Sequence, residues 1–321
     1  MSMTELAEAT SPAGDGQPPT TKAVEGRSPW ALAWDRLRHD KTAIVCAVFI
    51  LLLLLVAIFA GVLSKLVGYG PTDADRSTNG ITVDGLPVGP GGLHPLGTDE
   101  LGRDILVRIL YGTRVSLEVG ISAAVAAVVL GVIIGLCAGY FGTVVDTLLA
   151  RLMDVVLSFP FLLAAIALAS VFHPSEFLEI VVISFFSFAS VGRIVRGQTL
   201  SILEREYVEA ARSLGASNLR IMFVDVLPNL IAPVIVYTTL LIPTSIVFES
   251  TLSFLGVGIP APQPSWGNIL SDSEQYYTVA WWYLVFPCVA LVLTTLAFNL
   301  LGDSVRDALD PRSDRLLAAR K

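Results

Sequence analysis

The chain has 321 residues, 54% apolar and only 15% charged, with a formal charge of −7 and a mean hydropathy of +0.69. Soluble domains carry about 25% charged residues, and here the apolar residues also fall in long blocks, of which Ala43 to Leu63 holds no charge at all. A bilayer core is crossed by about 20 apolar residues in a helix, so the pattern is that of an integral membrane protein, and the lack of a basic stripe argues against nucleic acid as a partner.

Residues 1–29 are rich in Ser, Thr, Pro, Gly and Ala. They read as a disordered tail, and no basic segment opens them as a secretory signal would. Ser28 and Pro29 form a helix start. Trp30, Ala33, Trp34 and Leu37 then share one helical face opposite Arg36, Arg38 and Lys41, which predicts an interfacial helix over 30–42.

Apolar periodicity predicts six spans, at 43–63, 115–139, 147–172, 178–199, 229–250 and 282–302. Between the first two, the 64–114 loop holds Thr98, Asp99 and Glu100 ahead of Leu101, Ile105 and Ile109. Thr98 is placed to cap an amphipathic helix with an acidic first turn, ended by Gly112. In the second span Gly131, Gly135 and Gly139 make a smooth stripe on which another helix can pack closely. Arg151 and Asp154, three apart at the start of the third span, read as a local ion pair. Pro160, Pro233, Pro243 and Pro287 lie in or beside spans and interrupt their hydrogen-bond ladders. Glu249, near the outer end of the fifth span, has no local partner and is a candidate for the transport path or a gate.

Segment 200–228 joins the fourth and fifth spans. A helix is expected over 201–214, ended by Gly215 in a left-handed turn. Ser217 would cap a short second helix running to Pro228. Ala210 and Ala211 would keep one surface thin for a docking partner. Counting basic residues, 16 of 21 lie on one side of the membrane, including Arg205, Arg212 and Arg220, and the 251–281 loop has none. The positive-inside rule makes that side cytoplasmic and, with six spans, puts both termini there. Tyr276, Tyr277, Trp281, Trp282 and Tyr283 form an aromatic belt at the outer entry of the last span. Residues 304–321 form a cytoplasmic tail.

The chemistry-bearing residues are sparse. Cys46, Cys137 and Cys288 all sit in apolar blocks and offer no disulfide framework. His39, His94 and His173 have no metal-binding spacing, so no metal is expected. No phosphate loop of the Gly-x-x-x-x-Gly-Lys-Ser/Thr kind is present, so the chain is expected to bind no nucleotide by that route. No facing nucleophile and base suggests an intramembrane hydrolase, and no inverted repeat suggests a secondary transporter.

Glu209-Ala210-Ala211 followed by Gly215, then Leu227-Pro228, resembles the Glu-Ala-Ala loop of ATP-binding-cassette (ABC) importer permeases. Gly192, Arg193 and Arg196 lead into Tyr207, and His94 through Asp104 precedes Asp146, Arg151, Asp154 and Pro160. Glu249 through Gly256, Pro264-Ser265-Trp266 and Asn299 through Asp303 to Arg312 follow. Together these are similar to the second membrane subunit of the dipeptide/oligopeptide permeases, over residues 30–313. One position departs: Asp225 stands where the family has an apolar residue or His.

The resemblance implies an all-α membrane protein with the six-helix type I importer fold, and a permease that is no enzyme. It implies a second permease subunit, two cytoplasmic ATPases that bind ATP and Mg, an extracytoplasmic peptide-binding protein, and a place in the cell membrane. Tyr207, Glu209, Ala210, Ala211, Gly215, Leu227 and Pro228 would form the ATPase-coupling loop. The cargo would be dipeptides or oligopeptides, with nickel complexes or glutathione as the alternative.

Overall fold

The computed structural model describes residues 29–75 and 77–310, and every described element is helical or irregular, with only isolated β-bridges. The expected tail over 1–29, apart from Pro29, and the end of the C-terminal tail lie outside the described residues.

Helix α1 covers Pro29–Leu37 and α2 covers Lys41–Val67. The single 30–42 helix is therefore corrected: it ends at Leu37. Asp40 sits in extended backbone and caps α2 by accepting from the Thr42 amide. Its other carboxylate oxygen accepts from the Ser304 hydroxyl at 2.6 Å, which with the cap holds the acid below the usual carboxylate range. Arg36 donates to the carbonyls of Ala308 and Asp310. The two ends of the described chain thus meet on one face of the bundle.

The second span is α3, Ile105–Phe141, capped by Asp104. The separate amphipathic helix is corrected here as well. Leu101 to Arg103 form a turn, and Gly112 lies inside α3 rather than ending anything. Thr98 caps no helix. Its hydroxyl donates to the Gly80 carbonyl and accepts from the Val88 amide, which folds the loop on itself.

The third span is broken. Helices α4 (Thr143–Ser158) and α5 (Phe161–Val171) meet at Pro160 with a bend of 85°. Pro160 brings no amide hydrogen and restrains Phe159 to extended backbone. Hydropathy is continuous across the break, so composition alone predicts one straight span. Helix α6 is Glu176–Leu203. Five helices are long and apolar enough to cross a membrane, and the bent pair makes a sixth if it counts as one span.

The expected 201–214 helix is split. After α6 the chain turns at Glu204 and Arg205, then forms α7 (Glu206–Ser213) and α8 (Asn218–Arg220). A π-helical turn over Ile221–Val226 then runs into α9, Leu227–Phe254. Pro228 lies in the first turn of α9, directly after the π turn. On the other face α10 (Trp266–Ser273) precedes α11 (Trp281–Leu309).

The glycine stripe explains how α3 and α6 cross. A Cβ on Gly135 would lie 2.4 Å from the Gly192 carbonyl, and one on Gly139 2.7 Å from Thr199 Cβ. Gly131 would meet Val191 Cβ at 2.6 Å. The two backbones touch along this line, and larger residues would force them apart.

Candidate functional site

Two regions are the candidates for a functional site. The first is the segment from α7 to the start of α9. Val208 is buried in a core cluster that also holds Leu136, Val195 and Ile221, and Ala211 packs against this cluster. That fixes one face of α7 on α3, α6 and the π turn. The opposite face presents Glu209 and Ala210, with Tyr207 46% and Leu214 88% exposed. The two alanines therefore do not form one surface: Ala210 faces outward and Ala211 inward, because adjacent helical positions lie about 100° apart.

Gly215 has φ +80°, and the Ala216 amide donates to the Ala211 carbonyl at 3.0 Å, closing the left-handed C-terminal turn of α7. Ser217 then caps α8 by accepting from the Arg220 amide. Asn218 accepts from the Tyr140 hydroxyl at 3.0 Å, tying α8 to α3. Leu219, Phe223 and Val224 add exposed apolar surface next to Leu214. At the start of α9, Leu227 is partly buried against the core around Val208 and Ile221, and Pro228 is exposed. Asp225 is half-buried, and its carbonyl accepts from the Asn229 amide side chain.

The expected local pair is present, with Arg151 3.7 Å from Asp154, and the α4–α6 contact adds a closer partner: Asp154 accepts from Arg193 of α6 at 2.6 Å. Arg196 grips both oxygens of Asp146 one turn away. These pairs brace two helices against each other.

The second region lies at the opposite end, around the loop over 68–104. Asp99 is fully buried and accepts from Arg103 and Arg108, each at 2.6 Å. Arg108 also reaches Asp272 of α10 at 3.1 Å and the Tyr283 hydroxyl. Tyr283 in turn donates to Glu100. Burial, with Asp99 alongside, pushes the Glu100 carboxyl above the usual carboxylate range. His94, also buried, is bonded to Asp104 at 2.8 Å. This network pins the loop to α3, α10 and α11, and it borders a pocket of about 400 Å³. Sequence patterning missed it because its pairs join residues as far apart as Arg108 and Tyr283.

Glu249 is fully buried inside this subunit, accepting from the Ser250 and Ser253 hydroxyls at 3.1 and 3.0 Å. A second acid, Glu179 on α6, lies beside it and is missed by the sequence reading. The signal that could have found it is an ionisable residue within an apolar span. Among the described residues, no group of three or more His, Cys, Asp or Glu side chains is arranged to hold a metal.

The comparisons with known proteins agree with this architecture. Residues 127–315 match the family described as binding-protein-dependent transport system inner membrane component, and residues 28–81 match the N-terminal TM domain of oligopeptide transport permease C. The dipeptide transport system permease protein DppC of Alkalihalophilus pseudofirmus is 39% identical over 92% of this chain and 94% of its own. The glutathione transport system permease protein GsiD of Escherichia coli is 40% identical over the same shares. A solved inward-facing structure of the MetNI methionine ABC transporter covers 64% of this chain and 98% of its own, with a TM-score of 0.53 at 17% identity. The chain therefore belongs to the binding-protein-dependent transport system inner membrane components and is a multi-pass permease of the ABC importer class.

Proposed function

We propose that this permease forms half of the translocation path for dipeptides or oligopeptides, paired with a second, homologous permease subunit. Two ATPase subunits dock at the α7–α8 segment and bind the ATP and Mg that drive transport, and an extracytoplasmic binding protein delivers the cargo. Both termini lie in the cytoplasm.

The observation that carries this reading is the docking face itself. Tyr207, Leu214, Leu219 and Phe223 are exposed at the turn between α7 and α9, beyond the ends of the long helices. Six crossings put that turn on the side where the chain's two ends meet, the side that the basic residues mark as cytoplasmic. Exposed apolar residues at such a place fit a protein partner. The dipeptide permease supports the cargo class. A second reading, glutathione as cargo, is favoured by the comparable likeness to the glutathione permease.

Uptake by the reconstituted complex tests both. With binding protein and ATP present, labelled dipeptide accumulates and glutathione competes weakly. Accumulation of glutathione alone favours the second reading. Uptake that persists without the ATPase subunits overturns the mechanism.

A further inference from the structure

Glu179 lies in the first turn of α6, only 3% exposed, and neither carboxylate oxygen has a hydrogen-bond partner. A buried carboxylate left in that condition is costly, more so within a membrane span. The charged groups acting on it are Glu249 and Glu176, both acids. Glu176 accepts from Gln263 at 2.6 Å. The two cations that line the neighbouring pocket, Arg103 and Arg108, are held by Asp99, Glu100 and Asp272.

The unpartnered carboxylate points into a defined place. A Cβ added to Gly258 would lie 2.7 Å from Glu179 Oε1 and 2.3 Å from Ser253 Oγ. Carboxylate and hydroxyl thus both pack against Gly258 and lie no more than 5.0 Å apart. Ser253 also donates to Glu249 at 3.0 Å, which brings the second acid to the same place. Ser253 and Ile259 line the outer pocket, with Pro174 just ahead of α6 on its wall. Ser253 thus joins that pocket to Glu249, while neither acid lines the pocket itself.

We propose that Glu179, Glu249 and Ser253 form a binding site for one monovalent cation, either an alkali ion or the ammonium group of an incoming solute. The donor set is too small for a calcium-like ion, which takes about six to eight oxygens. A single positive charge of ammonium size satisfies Glu179 and offsets the proximity of the two acids. The inorganic form of the site stands apart from the peptide reading. The ammonium form would make it a recognition point for the amino end of the cargo, and in that form it rests on that reading.

The test is equilibrium binding of radiolabelled sodium and radiolabelled methylammonium to the assembled transporter in lipid nanodiscs, with N-methylglucamine holding the ionic strength. Neither tracer depends on which solute is transported, so failure of the peptide reading leaves this result interpretable. Saturable binding in the wild type, weakened about tenfold or more in Glu179→Gln, is expected, with Glu176→Gln binding as the wild type does. Sodium displaced by potassium but not by methylammonium identifies an inorganic ion. Methylammonium retained against excess sodium identifies an ammonium site. If Glu179→Gln does not assemble, Ser253→Ala, which removes one ligand and keeps both acids, replaces it and is expected to weaken binding. Absence of saturable binding of either tracer, or wild-type affinity in whichever variant assembles, overturns the proposal.

Discussion

Replacing Gly215 with Val isolates the geometry of the docking segment. The residue has φ +80°, and nothing lies within 4 Å of the position a Cβ would take. The cost is therefore backbone strain and not a clash. Left-handed backbone costs an L residue about 1–2 kcal/mol, and more when the side chain is β-branched. That reduces the occupancy of the native turn by about 5–30-fold relative to competing turns. The strain is relieved by opening the Ala216–Ala211 bond, which re-aims α8 and the π turn while leaving the α3–α6 contact intact. Assembly should be kept, and ATP hydrolysis should lose its stimulation by loaded binding protein, with uptake falling in step. Gly215→Asn, which tolerates this backbone region, should stay near the wild type. Subunit retention, stimulated hydrolysis and peptide uptake in proteoliposomes are the readouts. If Gly215→Val leaves all three unchanged, the turn does not transmit the coupling.

Asp99→Ala leaves Arg103 and Arg108 without their shared acceptor and should cost about 3–5 kcal/mol, seen as a large loss of folded protein after detergent extraction. Gly135→Ala places a methyl group against the Gly192 carbonyl and should cost about 1–3 kcal/mol. Gly197→Ala, with nothing within 4 Å, should be neutral or stabilising by up to about 1 kcal/mol; thermal unfolding of the two variants separates the cases, and equal midpoints would refute the packing account. Glu249→Gln keeps the shape and removes the charge beside Glu179. Uptake should fall while assembly holds, and unchanged uptake and specificity would exclude a role for that charge.

Apolar periodicity located every long helix because burial in lipid leaves a one-dimensional trace in the chain. The trace ended where single residues decide the path. Pro160 bends the third span in the middle of an unbroken apolar run, so hydropathy is blind to it. Thr98, Asp99 and Glu100 have the composition of a helix cap, yet Asp99 is claimed by two arginines and Thr98 by the loop backbone. A capping rule weighs only local partners and cannot see that competition. Asp154 shows the same limit: its local partner Arg151 is in place, but the closer bond comes from Arg193 across the α4–α6 contact. Gly215 was legible because its role is local, a left-handed turn ending a short helix. The π turn over Ile221–Val226 leaves no comparable signal. Glu179 was legible in principle, as an acid within an apolar span, but its lack of a partner emerges only when α6, α9 and the Gly258 loop are packed together.

The account rests on the α7–α8 face meeting an ATPase subunit in the cytoplasm. Leu214 is 88% exposed, so a photoreactive residue can replace it without disturbing the fold. Illumination of the assembled transporter in sealed cells should join this position to the ATPase subunit. Cross-links formed only with lipid, or with the extracytoplasmic binding protein, would contradict both the orientation and the coupling role.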